Sequence, residues 1–180
     1  VEVVGVDVNQ NTVDTINKGN IHIIEPELDV LVRSVVKTGH LRATTQPEKA
    51  DVFMVAVPTP FKGENKPDLS YIESAAKSIA PVLEKGNIVI LESTSPVGTT
   101  EKMVKWIKET RSDLTFPEFG ADGIDTDISV AHCPERVLPG HVIRELVEND
   151  RIIGGVTAHC AERARSLYKI FVDADCLVTD

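Results

Sequence analysis

Residues 87–101 read NIVIL and then ESTSPVGTTE, an unbroken apolar run followed by a short polar one. The apolar part, Asn87 to Leu91, has the pattern of a strand buried on both faces. The polar part, Glu92 to Glu101, gathers small hydroxyl residues with Pro96 and Gly98, which makes a tight turn into a helix. In open parallel sheets, ligands sit at the carboxyl ends of the strands. This turn and those like it therefore mark the candidate site.

Outward from that point the chain alternates strand and helix patterns. Upstream, Val1–Val6 is an apolar, β-branched strand ending at Asp7. Asn9 or Asn11 caps a short helix carrying Val13 and Ile16, stopped by Gly19. Pro26 suits a first helical turn, with Glu25 and Glu27 beside the positive helix end. Leu28, Leu31, Val32, Val35 and Val36 share one helical face, ended by Gly39. Leu41–Thr45 and Asp51–Val57 are strands. Pro58–Asp68 holds three prolines and is expected to be irregular. Asp68, or Ser70 with Glu73, starts the next helix, and Pro81 bends its end.

Downstream, Lys102–Thr110 is helical with Met103, Trp106 and Ile107 inward, and Asp113–Asp127 is irregular and acidic. Ile128–Cys133 and Arg151–Val156 are strands, with a helix over Val142–Val147 between them. Thr157 caps a helix whose face is Ala164, Leu167, Tyr168 and Phe171. Cys176–Thr179 is the last strand. Alternating strands and helices imply right-handed βαβ units and a doubly wound α/β fold with a parallel sheet.

The 180 residues suffice for one sizeable core, and 42% hydrophobic with 26% charged residues is ordinary for a soluble globular chain. A net charge of −9 and a pI near 5.0 argue against nucleic-acid or anionic-membrane partners, which need basic patches. No apolar run approaches the ~18 residues of a membrane span, and the opening strand has no basic lead-in of a signal peptide. Cys133, Cys160 and Cys176 are widely spaced, which fits a reducing, cytoplasmic setting better than a disulfide scaffold. The five histidines form no metal-ligand spacing, so no metal is expected.

Four positions could carry chemistry. Asp7 stands where dinucleotide folds place a ribose-binding acid, and where a turn or cap aspartate would also stand. Thr59, locked between Pro58 and Pro60, is either a ligand contact or part of a rigid loop. Thr94, Ser95, Thr99 and Thr100 offer hydroxyls beside free helix-start N–H groups, suited to phosphate or water; helix capping accounts for one of them. Glu135 and Arg136 set a base beside an anion clamp, or form a surface ion pair. Cys133, inside an apolar run, reads as core.

VGVDVN, VAVPTPFKG, VILESTSPVGTTEKM, CPERVLPG and DRIIGG, in this order, resemble the nucleotide-sugar 6-dehydrogenase family. ERVLPG and EPELDVLVRSVV are most similar to its branch acting on UDP-N-acetyl-D-mannosamine. The resemblance covers essentially the whole chain and implies a Rossmann-like fold binding NAD. It implies oxidation of the C6 alcohol of a UDP-sugar to a carboxylate with two NAD+, through an aldehyde, a cysteine-bound thiohemiacetal and a thioester. Asp7 would hold the NAD ribose, and Thr59 and Thr100 would contact the cofactor. Thr94 would position water or the sugar oxygen, and Glu135 would act as base. Arg136 and the backbone at Val137 would contact the UDP-sugar substrate.

The family's first strand and glycine-rich pyrophosphate turn have no counterpart here, nor do its central helix with the catalytic lysine and its C-terminal UDP-binding domain with the nucleophilic cysteine. Residues 1–180 are thus expected to form a single NAD-binding domain, incomplete at its N-terminus and inactive alone, from a protein that assembles as a homo-oligomer. Two alternatives stand beside this: a dehydrogenase for UDP-glucose or UDP-N-acetylglucosamine, and a non-catalytic nucleotide-binding module.

Overall fold

The computed structural model describes residues 1–63, 66–121 and 123–179, which fall into two compact units. The first comprises Val1–Glu48 and Val137–Leu146. Its strands β1 (Val3–Val6) and β2 (Leu41–Thr44) pair in parallel, with Val3 opposite Leu41. Helices α1 (Gln10–Asn17) and α2 (Leu28–Lys37) lie between them in sequence. The Asn9 side chain accepts from Asn11 N at 2.9 Å and so caps α1. Asn17, at the end of α1, both donates to and accepts from the backbone of Ala43, at 2.9 and 2.7 Å, tying helix to strand.

On α2, Val32 is buried whereas Leu31 is exposed, so the five-residue apolar face is only partly covered within this unit. Glu27 does not join the helix: it sits in the left-handed region at φ 64° just before it. Glu25 is buried, and both its oxygens accept backbone N–H groups at 2.9 Å, from Gly140 and from Val142 at the start of α5 (Val142–Glu148). It therefore serves α5 rather than the helix that follows it in sequence. The two N–H groups, Gly140 first, hold its carboxyl below the usual carboxylate range.

The second unit, Lys49–Arg136 and Val147 onward, holds a five-stranded sheet. Its order is β3 (Val52–Val55), β6 (Ile88–Leu91), β7 (Ser129–His132), β8 (Arg151–Gly155), β9 (Cys176–Thr179). All four residues of β6 are buried. Val89 and Leu91 pack with Ile72 and Ala76 of α3 (Ser70–Ile79) and Met103 and Ile107 of α4 (Thr99–Lys108). Ile88 and Ile90 face the other way, with Ala164 and Tyr168 of α6 (Ala158–Tyr168). Each of the four β6 side chains contributes about 1.5–3 kcal/mol by leaving water. Helices thus cover both faces, as a doubly wound sheet requires.

Two expectations need correction. Strands β3, β6 and β7 are parallel, and so are β8 and β9, but β8 runs antiparallel to β7, with Ala131 opposite Gly155. The β7–β8 connection carries only the short helix α5, and residues 137–146 belong to the first unit. An antiparallel return needs no long crossover helix, whereas a parallel one does. The proline-rich loop is also not wholly irregular. Strands β4 (Phe61–Lys62) and β5 (Lys66–Pro67) form a short antiparallel pair, and Asp68 N donates to Pro60 O at 2.7 Å. Pro67 is tolerated because β5 is an edge strand of this two-stranded pair.

Candidate functional site

The carboxyl ends of the adjacent parallel strands β3, β6 and β7 bring three loops to one rim of the second unit. Hydrogen bonds between the loops hold them there. Glu92 N donates to Val55 O at 2.9 Å, and Glu135 N donates to Glu92 O at 3.1 Å. Buried Ser93 accepts from Val57 N at 2.8 Å and donates to Val57 O at 2.7 Å. The Thr59 hydroxyl donates to Thr94 O at 2.7 Å. Three successive residues, Glu92, Ser93 and Thr94, are therefore clamped to their neighbours, which fixes the Thr94 backbone at the rim.

Gly98 precedes α4 at φ 84°, a conformation that costs glycine little. It starts the helix at this same rim. Thr99 is buried and donates to Pro96 O at 2.6 Å, so its hydroxyl serves the turn rather than a ligand. Thr100 is half-buried in the first turn. Among the described residues its N–H and that of Glu101 make no backbone hydrogen bond, and the exposed Thr94 hydroxyl makes none.

Five of the expected residues, Thr59, Thr94, Thr100, Glu135 and Arg136, thus share this rim. Asp7 and Val137 belong to the first unit. Asp7 follows β1 and accepts Asn9 N at 2.8 Å through one carboxylate oxygen. That is the turn role weighed in the sequence, and it leaves the second oxygen open. The hydroxyls and helix-start N–H groups at the rim of the second unit are a donor set that suits phosphate oxygens, and a carboxylate after a strand, as at Asp7 of the first unit, suits ribose hydroxyls.

Arg136 lines a cavity of about 300 Å³ with Glu148, Asn149 and Asp150, and its carbonyl accepts from Asn149 Nδ2 at 3.4 Å. A larger cavity of about 510 Å³, lined by Lys49, Leu83, Arg111 and Asp113, opens at the amino ends of the strands. Its Arg111 is already engaged by the carbonyls of Ala80 and Leu83 and by Asp113. The smaller cavity is the one beside the candidate chemistry.

Residues 1–172 match the family model described as the UDP-glucose/GDP-mannose dehydrogenase family, NAD binding domain. The chain belongs to the UDP-glucose/GDP-mannose dehydrogenase family. Within this dehydrogenase family it is 66% identical to UDP-N-acetyl-D-mannosamine dehydrogenase of Campylobacter jejuni, over all of this chain and 44% of that protein. It is 63% identical to NDP-N-acetyl-D-galactosaminuronic acid dehydrogenase of Ralstonia nicotianae, over 99% of this chain and 42% of that protein. A solved UDP-N-acetyl-mannosamine dehydrogenase of Staphylococcus aureus superposes with a TM-score of 0.90 at 42% identity, covering 100% of this chain and 41% of that one. The chain therefore spans less than half the length of these relatives. The NAD-binding character of the family model agrees with the NAD expected from the sequence.

Four residues of this dehydrogenase domain escaped sequence reasoning. Ser93 was hidden among more obvious hydroxyls. Glu92, Arg151 and Tyr168 meet across the end of the sheet. The Tyr168 phenol donates to Glu92 Oε1 at 2.6 Å, and the Arg151 guanidinium lies 5.7 Å from the Tyr168 ring centre. Tyr168 reads as a core aromatic at helical spacing, and its polar end gives no local signal.

Proposed function

We propose that the intact protein is a cytoplasmic, NAD-dependent UDP-N-acetyl-D-mannosamine dehydrogenase, and that residues 1–180 form a single domain binding its cofactor. The identity of 66% across the whole chain to an enzyme of that name carries the reading. The clustering of Thr59, Thr94, Thr100, Glu135 and Arg136 at one rim supports it. In this reading the protein works as a homo-oligomer on a UDP-sugar, with no nucleic-acid or membrane partner. Among the described residues no helix is long and apolar enough to cross a membrane.

The overall change is RCH2OH + H2O + 2 NAD+ → RCOO− + 2 NADH + 3 H+. Bound NAD supplies the hydride acceptor. Asp7 holds a ribose hydroxyl pair, and Thr59 and Thr100 orient the cofactor. The Thr94 hydroxyl fixes the sugar oxygen or the attacking water. Glu135 takes the proton from that water, a role for which a rim carboxylate backed by a fixed backbone is suited. Arg136 and the backbone of Val137 hold the substrate, the guanidinium as a clamp for an oxygen-rich group.

A second reading assigns the intact protein the activity named for the Ralstonia relative, and the identity of 63% favours it. Measuring NADH formation by the full-length protein on UDP-N-acetylmannosamine, UDP-N-acetylgalactosamine, UDP-N-acetylglucosamine and UDP-glucose separates the readings. The highest kcat/KM is expected on the manno sugar. Preference for the galacto sugar would favour the second reading, and activity on none of them would overturn both.

A further inference from the structure

Glu92 is bonded in three directions: by its N–H to the end of β3, by its carbonyl to Glu135, and by its side chain to α6. The third bond is the unexpected one. A buried phenol needs a hydrogen-bond partner. A neutral carbonyl would serve at less cost than a carboxylate, which must be partly desolvated to reach it. An acid has nevertheless been placed two residues before Thr94, at the residue that holds the Glu135 amide.

We propose that Glu92 and Tyr168 are positioning residues for the reaction: the Tyr168 phenol anchors the Glu92 side chain, and through it the backbone that sets Glu135 and Thr94. This rests on the proposed function of the rim. Tyr168 is the last residue of α6 and is wholly buried, so its oxygen is a fixed point. Rotation of Glu92 would move its carbonyl, and with it the acceptor of the Glu135 N–H. Small displacements of that kind cost rate rather than affinity.

The charge environment gives the pair a signature. Burial pushes the Glu92 carboxyl up, and the charge of Glu135 adds to this, while the Tyr168 hydrogen bond and the Arg151 charge oppose it. Burial first, and then the Glu92 charge and hydrogen bond, push the Tyr168 phenol far up, so it stays a donor. Buried Cys133 and Cys176 complete the surroundings; burial raises the Cys133 thiol, which keeps it uncharged. His132 faces away into the backbone, its Nδ1 lying 2.8 Å from Leu91 O.

The test uses the full-length protein with Tyr168→Phe, which keeps the ring against Arg151 and Phe171 and removes only the donor. Turnover on UDP-N-acetylmannosamine is expected to fall about tenfold, with both KM values within about twofold of wild type. Loss of a donor that favours the carboxylate raises the Glu92 pKa, so the pH profile of kcat shifts in Tyr168→Phe, and no such shift is expected when Tyr168→Phe is added to Glu92→Gln. Unchanged kcat and pH profile, or a joint decline of kcat, both KM values and melting temperature, would overturn the proposal. Hydrogen exchange at the Glu135 amide reads the pair without turnover: it accelerates at least about fivefold in Tyr168→Phe if the anchoring holds, and stays unchanged if it does not. An inactive wild type would overturn the proposed function, and this exchange would then decide the pair.

Discussion

The Thr59 hydroxyl donates to the carbonyl oxygen of Thr94 at 2.7 Å, joining the loop after β3 to the loop after β6. Thr59 can therefore act on a ligand in two ways, by direct contact and by holding Thr94. A neutral hydrogen bond of this kind is worth about 1 kcal/mol net, or roughly fivefold in an equilibrium. In the full-length protein, Thr59→Val is expected to raise the KM for NAD about fivefold while leaving the melting temperature within a few degrees. Unchanged steady-state kinetics would remove Thr59 from the cofactor site.

Glu135 projects from the loop after β7, and its amide is fixed by Glu92. If its carboxylate takes a proton during turnover, replacing it should cost about 10²–10⁴-fold in kcat. Glu135→Gln keeps the size and removes the base. It should show that loss with NAD affinity, measured by calorimetry, nearly unchanged. A variant retaining more than half of wild-type turnover would assign the base elsewhere.

Gly155 ends β8 where the strand meets the start of α6. A Cβ there would lie 2.3 Å from Ala161 N and 2.4 Å from Thr157 O. Both are backbone atoms of a capped helix start, so neither can yield without moving α6. Gly155→Ala should destabilise the fold by about 3 kcal/mol, at the upper end of ordinary overpacking. Denaturant unfolding would register this as a lower midpoint with an unchanged slope, and a wild-type midpoint would refute the close approach.

Asp68 and Asp127 are both held down at about 2. For Asp127 the causes are the Thr115 N–H, then Lys85 at 3.0 Å, then the Thr115 hydroxyl. For Asp68 the Lys62 ammonium at 2.7 Å leads, followed by the hydroxyl and N–H of Ser70. Folded values below the unfolded value of about 3.9 mean that both acids stabilise the fold above that pH. The stabilisation is lost as pH falls from about 4 towards 2. Asp127→Asn should flatten the dependence of unfolding midpoint on pH across this window. An equally steep profile would show that Asp127 does not contribute.

The fold was readable wherever the information was local. Every residue of β6 is apolar, so its burial on both sides was visible from four letters. The caps at Asn9 and Thr157 and the glycine before α4 announced themselves by residue type. Direction was not readable: the apolar pattern of β8 is the same whichever way the strand runs. Long-range pairings were equally hidden. Glu25 finds its partners at Gly140 and Val142, and Glu92 finds Tyr168, at separations no periodicity records. At the site, the hydroxyl cluster was legible as a group, but which members bond inward required coordinates. Thr99 turned into the helix start, whereas Thr94 stayed exposed.

The most direct test counts NADH released per UDP-N-acetylmannosamine consumed by the full-length protein, with the sugar product identified by mass. Two NADH per sugar and a product bearing a C6 carboxylate are predicted. One NADH with release of an aldehyde, or sugar binding without any NADH, would contradict the account.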